Sequence, residues 1–481
     1  MNATIIVGLL GIVLIASFGF IGRRRPVKNI EEWTVGGRNY GVLTAWVLQA
    51  GETFTTFTFL GTVGLVVSIG ASAFYSIPYV PLAYIAMYWV GPKLWRKAKA
   101  MGYLTQADFL RGSYNSPVLG WLVAFFGILF LLPYLQLQIT GLGIVISVAT
   151  GGEINENFAI VLSFVLVIGF VLWSGIRGVA LTSYLKDALM IIVVIGLTIV
   201  IPFHYRGGLD FGVNEILDSM PEMLSVRPGE VGIPWVISSM AISIIGVMFY
   251  ALPHTWPALM SGRSERVVRQ NLIYLPVYNM LACIPMLLGY TAILAFGLSQ
   301  DGDLAMLKMA AAALPDWLTG VVLIAAASTA MVPGAALLNA IAPLAVQNVF
   351  MIKGETKKIA YNRIFVVVFG LGALILALTM PSLLGMMLLL TYSGSTQVVP
   401  AILGAVIPRI TLHKASVISG LCSGLFIVLL FTFSPIHGPN INEGISGLAV
   451  NIVVLTIVEI AIRATRPRPV EPVAVKVDEV V

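Results

Sequence analysis

The chain has 481 residues, of which 58% are hydrophobic and only 10% are charged, and its mean hydropathy is +0.95. Soluble domains carry roughly 25% charged residues, so this composition excludes a water-soluble protein and indicates a polytopic membrane protein. The net charge of +6 does not indicate a nucleic-acid partner, because the cations flank apolar segments, where anionic lipid head groups are the natural partners. Both cysteines, Cys283 and Cys422, lie in apolar runs, which argues against a disulfide framework or a metal site.

Apolar segments of roughly 20 residues, the length that crosses a bilayer, recur thirteen times along the chain. We number as spans 1 to 13 the segments 3–22, 41–69, 73–98, 116–149, 156–176, 180–203, 232–257, 270–298, 316–350, 362–380, 382–408, 415–434 and 444–464. Residues 204–231 form the one long predicted external loop, with a short interfacial helix. The short, charged segment 465–481 predicts a disordered cytoplasmic tail.

Lys and Arg residues alternate with the spans, so that every second loop is basic. Assigned in this way, 24 of the 28 Lys and Arg residues lie on one side, which the positive-inside rule makes the cytoplasmic side. Arg206, Arg227 and Lys308 lie opposite, and Lys186 lies within span 6. The pattern predicts a multi-pass protein of the cell (plasma) membrane, with its N-terminus outside and its C-terminus in the cytoplasm.

Span 2 carries polar side chains at mid-membrane depth, where they are costly unless they face protein or a water-filled cavity. Its central stretch is Gln49-Ala50-Gly51-Glu52-Thr53-Phe54-Thr55-Thr56-Phe57-Thr58. A glycine followed by polar groups indicates a discontinuous helix, whose free carbonyls and helix ends can bind an ion or a solute. Span 7 is interrupted similarly at Ala251-Leu252-Pro253-His254-Thr255-Trp256-Pro257, because proline breaks the hydrogen-bond ladder.

The two interrupted spans lie five spans apart, which suggests a repeat. Spans 2 to 6 (residues 41–203) and spans 7 to 11 (residues 232–408) are two sets of five, and the basic loops make them enter from opposite sides. Such an inverted repeat opens a central site alternately to each side of the membrane. The predicted fold is an all-α membrane protein of thirteen transmembrane helices with a five-plus-five inverted repeat. A peripheral helix (1–22) precedes the repeats, and two peripheral helices (415–464) follow them.

This organisation favours a secondary transporter over other membrane proteins. The sequence contains no HExxH, GxSxG, P-loop or Cys/His metal spacing, so we expect neither an enzyme nor a cofactor. It also contains no filter motif of a channel, although a passive channel stays as the alternative of another class. The expected partners are a small organic solute and membrane lipid, and the oligomeric state is open.

Three motifs carry a resemblance to a known family. They are Trp33-Thr34-Val35-Gly36-Gly37-Arg38 before span 2, Gly102-Tyr103-Leu104-Thr105-Gln106-Ala107-Asp108-Phe109 after span 3, and Pro253-His254 in span 7. Together with the spans, they make the chain resemble the sodium:solute symporters over essentially its whole length. Within that family it looks closest to the bacterial monocarboxylate permeases. It is similar to them at Leu132-Pro133-Tyr134-Leu135-Gln136-Leu137-Gln138, Lys186-Asp187 and Val332-Pro333.

The resemblance implies cation-coupled import of a short monocarboxylate by alternating access. A sodium-coupled symporter for an amino acid or a sugar is the alternative, because one scaffold serves several solutes. The resemblance also implies that spans 2, 3, 7 and 8 form a four-helix bundle that rocks against the remaining helices.

The family's second sodium site, which uses carbonyls of span 2 and hydroxyls of span 9, implies where the coupling ion binds. In span 2 it points to Ala50, Gly51, Glu52 and Phe54. In span 9, the gap-free alignment on 347–350 places the hydroxyl pair at Val332-Pro333, which has no side-chain oxygen, whereas a shift of four residues selects Ser328-Thr329. Sodium needs hard oxygen donors, so the coupling ion is expected to be Na+ or H+.

Glu52 is the group that we expect to carry a proton, because buried carboxyls can be tuned to titrate near neutral pH. Its alternatives are a sodium ligand and a structural hydrogen bond that pins the broken helix. Lys186 and Asp187 in span 6 are predicted to anchor the helix at the membrane interface, with a gate salt bridge as the alternative.

Eight residues near the two breaks or in spans 4 and 11 are predicted to bind the solute. They are Thr53, Phe57, Tyr134, Gln138, His254, Trp256, Tyr392 and Gln397. For His254 the alternative is a hydrogen bond to a carbonyl freed by Pro253, and for Gln138 it is a bond to a neighbouring helix.

Overall fold

The computed structural model describes residues 3–22, 29–226, 228–298, 302–380, 384–436 and 438–465. These ranges contain no β-strand; one isolated bridge joins Tyr40 to Gly262. The helices are α1 Ala3–Gly22, α2 Ile30–Val35, α3 Val42–Thr53, α4 Thr62–Ile69, α5 Tyr79–Met101, α6 Gln106–Ser113, α7 Pro117–Ala149, α8 Glu156–Arg206, α9 Val213–Ser219, α10 Ile233–Met248, α11 Thr255–Ser261, α12 Glu265–Asn279, α13 Ile284–Phe296, α14 Gly302–Ala313, α15 Asp316–Leu344, α16 Glu355–Thr379, α17 Leu384–Ser395, α18 Val399–Val406, α19 Lys414–Phe433 and α20 Glu443–Thr465. The predicted tail from residue 466 onward and Arg227 lie outside the described residues.

Nine segments of the described chain are helical, long and apolar enough to cross a membrane, and two shorter apolar helices accompany them at Glu156–Leu172 and Ile233–Met248. The prediction of an all-helical, multi-pass membrane protein is confirmed. The count of thirteen spans, the inverted relation of the two repeats and the direction of the termini stay predictions.

Predicted spans 5 and 6 lie on either side of a sharp turn in α8 at Gly175 (φ 57°, ψ −175°), a backbone conformation that favours glycine. One helical feature differs from the predicted spans. Helix α14 occupies a segment for which the hydropathy pattern predicts no span. Its alanines, methionines and leucines favour a helix, but its 12 residues are too few to cross a bilayer.

Both predicted interruptions are present. Helix α3 ends at Thr53, and helical structure resumes with the π-helical turn Phe57–Gly61 that leads into α4. Helix α10 ends at Met248, and α11 begins at Thr255. We call the intervening residues 54–56 the first break and residues 249–254 the second break.

The helices that flank the two breaks pack on one another. Helix α3 packs on α12, α4 packs on α13, and α5 packs on both α10 and α12. We call α3, α4, α5 and α10 to α13 the bundle; they correspond to predicted spans 2, 3, 7 and 8. A second group, α7, α8, α15 and α16, is also mutually packed, and we call it the scaffold. Helix α3 of the bundle contacts α8 and α15 of the scaffold, so the first break lies at the boundary between the two groups.

Two of the family motifs meet in space. The buried Arg38 of the first motif donates a hydrogen bond to the carbonyl of Tyr103 in the second motif, at 2.6 Å. Thr105 and Asp108 then form a capping box at the start of α6. Asn348, in the turn that follows α15, accepts from the Thr105 hydroxyl at 2.8 Å and donates to the Asp108 carboxylate at 2.6 Å. The motifs therefore join α6 to the end of a scaffold helix.

Gln106 satisfies carbonyls that the second break sets free. Its buried Nε2 donates to the carbonyls of Tyr250 and Ala251, each at 2.9 Å. The indole Nε1 of Trp256 donates to the same Tyr250 carbonyl at 2.9 Å. A buried carbonyl without a partner costs about 1–3 kcal/mol, so these donors stabilise the chain where it leaves the helix. Tyr250 has a φ of 54°, which is uncommon for a residue other than glycine.

Replacing Gln106 with methionine keeps the length of the side chain and removes its donors. We expect Gln106→Met to lower the free energy of unfolding by about 1–3 kcal/mol, because the Ala251 carbonyl loses its side-chain partner. The measurement is the Tm of the purified protein in detergent. Gln347→Met is the matched control, since the buried Nε2 of Gln347 has no hydrogen-bond partner among the described residues. Equal Tm values for the two variants would contradict this role of Gln106.

Candidate functional site

A cavity of about 60 Å³ lies between the two breaks. In this measure of volume one water needs roughly 10–15 Å³, so the cavity has room for a few water-sized groups in this conformation. Its apolar wall consists of Phe57, Val247, Leu252, Ala282 and Leu388. Its polar wall consists of Glu52, Thr53, Thr55, Thr58, Tyr79, Tyr84, Tyr134, His254, Thr255, Asn279 and Tyr392. Tyr134 belongs to scaffold helix α7, so both helix groups contribute.

The polar wall is organised by a chain of hydrogen bonds within the bundle. The Thr53 hydroxyl, at the end of α3, donates to Asn279 Oδ1 at 2.9 Å. Asn279 Nδ2 in turn donates to the Tyr84 hydroxyl on α5 at 2.5 Å. This chain holds three bundle helices together at the cavity and fixes the orientation of the amide.

His254 approaches the cavity from the second break. Its ring packs edge-on against that of Tyr134, with centroids 5.2 Å apart. The imidazole is 5% exposed, and its Nδ1 has no hydrogen-bond partner among the described residues. The alternative of a hydrogen bond from Nδ1 to a carbonyl freed by Pro253 is therefore not what the structure contains.

Lys186 lies against the end of α3, just before the first break, and is not exposed at the surface of the protein. Its side chain is fully buried, and Nζ donates to the carbonyl of Gly51 at 2.6 Å. The carboxylate of Asp187 lies 3.4 Å from the same Nζ and accepts from the Tyr278 hydroxyl at 3.1 Å. The expected interfacial anchor is wrong, because a buried ammonium needs acceptors and both Gly51 and Asp187 supply them. The alternative ion pair between Lys186 and Asp187 is present.

Gly51 permits the close approach of α3 to the scaffold. A Cβ atom at this position would lie 2.5 Å from Ser183 Oγ and 3.6 Å from Val332 Cγ1. The apolar Val332 of α15 is therefore one of the side chains beside Gly51, together with the nearer hydroxyl of Ser183. The Ser328 and Thr329 hydroxyls donate to α15 carbonyls three residues earlier, at 2.6 and 2.7 Å.

Three ionisable side chains gather near the end of α3, just before the first break. Glu52 is 7% exposed, lines the cavity and directly follows Gly51, whose carbonyl accepts from Lys186. With Asp187, the group contains two carboxyls and one ammonium in a dry environment, where unbalanced charge is costly. Two like charges 4 Å apart repel by about 4 kcal/mol at an effective dielectric constant of 20. A metal cation at the Gly51 carbonyl would therefore compete with the ammonium.

The predicted solute-binding residues divide into two groups. Five of the eight line the cavity: Thr53, Phe57, Tyr134, His254 and Tyr392. The other three, Gln138, Gln397 and Trp256, lie outside its wall, because their polar groups form hydrogen bonds with other parts of the protein. Gln138 Oε1 accepts from the Thr56 hydroxyl at 2.9 Å, and Gln397 Nε2 donates to the carbonyls of Ser393 and Gly444. The indole of Trp256 donates within the second break and packs against Phe109.

Six polar residues of the wall were not predicted: Thr55, Thr58, Tyr79, Tyr84, Thr255 and Asn279. Asn279 could have been predicted to line the cavity, because an amide within an apolar span must face a hydrogen-bond partner or a cavity. The two tyrosines could not, since aromatic residues in apolar spans mostly pack against neighbouring side chains.

Comparison with known proteins identifies relatives over nearly the whole chain. The sequence profile of the Sodium:solute symporter family matches residues 33–421. An uncharacterized symporter of Bacillus subtilis, YhjB, is 33% identical and aligns with 97% of this chain and 98% of its own length. A monocarboxylate transport permease protein of Rhizobium johnstonii is 26% identical, and the alignment covers 95% of this chain and 96% of that protein.

A solved structure has the same fold. The substrate-bound, outward-open state of a Na+-coupled sialic acid symporter superimposes with a TM-score of 0.75. It covers 96% of this chain and 98% of its own chain at 16% sequence identity. At that identity the likeness concerns the arrangement of the helices and not the chemistry of the site.

Gly51→Ala tests the close packing at the first break. The added methyl group would overlap Ser183 Oγ and Cβ, at 2.5 and 2.9 Å, so α3 must move away from α8 and the Lys186 contact must lengthen. We expect solute uptake in proteoliposomes to fall about tenfold or more. Gly196→Ala, on the neighbouring helix α8, is the control, because its methyl group would meet open space. Wild-type uptake by Gly51→Ala would contradict a requirement for this contact.

Proposed function

Because the chain belongs to the sodium:solute symporter family, we propose that it is a cation-coupled symporter that imports a short monocarboxylate by alternating access. The proteins of this family are secondary transporters and not enzymes. The observation that carries the proposal is the cavity between the two breaks, to which both the bundle and the scaffold contribute. A solute in such a cavity contacts both groups and can bias their relative position.

The walls of the cavity suit a small molecule with one polar and one apolar end. Hydroxyl, amide and imidazole groups can donate to a carboxylate, and the first residues after the first break add the positive end of the resumed helix. The apolar wall suits a short hydrocarbon tail. Neither arginine nor lysine is among the cavity-lining residues, and helix ends bind anions without them.

The relatives and the dimensions of the site support the same class of solute. A relative at 26% identity is named a monocarboxylate transport permease protein. A cavity of about 60 Å³ favours a solute of few atoms over a sugar. An amino acid is the nearest alternative, since it shares the carboxylate and differs by an ammonium group.

Glu52 links the cation to the solute in this proposal. Its carboxyl lines the cavity, so an ionised Glu52 repels an incoming carboxylate. A cation that neutralises this charge lets the anion bind, and loss of the cation expels it. One monovalent cation per monocarboxylate adds no net charge to the dry site, which favours electroneutral one-to-one symport.

Two sets of observations bear on the identity of the coupling cation and favour different ions. The family and the Na+-coupled solved neighbour support sodium. The ammonium at the Gly51 carbonyl and the apolar Val332 beside Gly51 favour a proton. Both cations are consistent with the symport proposed here.

Uptake into proteoliposomes tests the function. Labelled propionate, proline and glucose are supplied separately, with an inward sodium gradient or an inward proton gradient, and with the membrane potential clamped. We expect propionate alone to accumulate above the level reached in protein-free liposomes, under one of the two gradients, and to leak out when an ionophore dissipates that gradient. A gradient of about one pH unit, or its sodium equivalent, supports about tenfold accumulation in one-to-one symport.

Other outcomes separate the alternatives. Accumulation of proline or glucose instead of propionate would replace the proposed solute. Equilibration without accumulation would favour a passive pathway. A dependence of propionate uptake on membrane potential would contradict the electroneutral stoichiometry.

Glu52→Gln tests the proposed link between cation and solute. The neutral amide has the same shape but does not repel the anion, so we expect solute exchange in the absence of any gradient to persist. Concentrative uptake should fall about tenfold or more, because the solute no longer requires the cation. Glu153→Gln, at an exposed position, is the matched control. Full accumulation by Glu52→Gln with an unchanged cation dependence would remove Glu52 from the coupling.

A further inference from the structure

The ammonium of Lys186 occupies the position at which the first break offers a free carbonyl to a cation. We propose that Lys186 is a resident, exchangeable cation site of this transporter, and that the proton on its Nζ is the coupling ion in place of sodium. This inference rests on the proposed symport function and names the ion for it.

The contacts of Lys186 are those of a bound cation. Its side chain has no exposed surface, and Nζ lies 2.6 Å from the Gly51 carbonyl oxygen and 3.4 Å from the Asp187 carboxylate. Val332 of α15 adjoins Gly51 and contributes no oxygen ligand for a metal ion. The ammonium thus takes up a carbonyl that a metal cation would need, and its charge repels such an ion.

The same contacts join the two helix groups. Lys186 and Asp187 belong to scaffold helix α8, whereas Gly51 belongs to bundle helix α3 and Tyr278 to bundle helix α12. Nζ holds α3 through the Gly51 carbonyl, and the Asp187 carboxylate holds α12 through the Tyr278 hydroxyl. A change in the charge of Lys186 therefore acts directly on the boundary at which the bundle must move.

The ionisable groups around Lys186 connect its proton to the solute. Asp187 lies on its own helix, Glu52 is the residue after Gly51 on α3, and the Tyr278 hydroxyl of α12 donates to Asp187. When Nζ carries its proton, the ammonium offsets the negative charge of Glu52 beside the cavity. When Nζ loses the proton, that charge is unbalanced and repels a bound carboxylate.

A transport cycle follows from this arrangement. With the site open to the outside, the Lys186 amine takes a proton from water, and the anion enters beside the compensated Glu52. The bundle then moves, and Nζ releases its proton to water on the other side. One N–H bond forms and the same bond breaks in each cycle, so the lysine returns to its starting state. Loss of the charge weakens the hold on Gly51 and expels the anion.

A test without solute examines whether sodium binds. The Tm of the purified wild-type protein is compared in sodium chloride and in choline chloride at equal ionic strength. An ion that binds only the folded protein raises its Tm. Because we expect no sodium to bind, the Tm values in the two salts should agree. A rise in Tm specific to sodium would overturn the proposal, whatever the solute proves to be.

A second test uses propionate uptake and exchange by variants of Lys186. We expect a proton gradient to drive uptake by the wild type in the complete absence of sodium. Lys186→Met, which keeps the apolar stem, should reduce accumulation about tenfold or more and remove the pH dependence of exchange. Lys186→Arg keeps a permanent charge that proteins do not titrate, so it should also fail to accumulate the solute.

The two substitutions separate coupling from structural support. Lys93→Met, at an exposed position, is the control, and the Tm of each variant establishes that it is folded. Accumulation by a folded Lys186→Arg would show that the cation only holds the helices together, and this would overturn the proposal. Uptake driven by sodium and not by protons would also overturn it while leaving the symport function intact. If the wild type moves none of the three solutes, the proposed function fails, and the sodium test alone then decides whether Lys186 replaces a bound sodium ion.

Discussion

The contact between the Lys186 ammonium and the Gly51 carbonyl is the interaction on which the site depends. A carbonyl that leaves a helix inside a membrane has no water to bond, and a buried ammonium has none either. Each supplies the partner that the other lacks, at 2.6 Å. The contact requires α3 to approach α8 closely, and only glycine at position 51 leaves that room. Asp187 and Glu52 then balance the buried charge, and through Glu52 the balance extends to the cavity.

The two breaks satisfy their freed carbonyls in different ways. At the second break the donors are the amide of Gln106 and the indole of Trp256, which keep their charge state under all physiological conditions. At the first break the donor is an ammonium that can lose its proton. One break is therefore held by permanent hydrogen bonds, and the other by a bond whose strength depends on protonation. A change in the protonation of Lys186 would therefore affect the first break and leave the hydrogen bonds of the second break unchanged.

The Na+-coupled sialic acid symporter shares the helix arrangement of this chain, as the TM-score of 0.75 indicates. A shared fold does not determine the chemistry of a site. In this chain an ammonium binds the Gly51 carbonyl just before the first break. Ion and solute preferences within such a scaffold depend on a few side chains at the boundary between the helix groups, because those side chains decide which charges are balanced there.

Much of the fold could be predicted from the sequence, because its signals are local. The length of the apolar segments indicates membrane helices, and Gly51 and Pro253 indicate that two of these helices are interrupted. Polar residues close to those breaks, such as Thr53 and His254, could be assigned to the cavity for the same reason. Helix α14 was not predicted, because a search for apolar segments long enough to cross a bilayer does not detect a helix of 12 residues.

The sequence by itself determined the membrane class, the family and the two breaks, whereas the tertiary structure decided the partner of each buried polar group. A span that is apolar on all sides carries no amphipathic signal to show which way a given side chain faces. Gln138 and Gln397 therefore looked like cavity residues and instead bond neighbouring groups. Lys186 looked like an interfacial anchor for the same reason. Its inward direction depends on a carbonyl 135 residues away in the chain, which only the packing of α8 against α3 brings within reach.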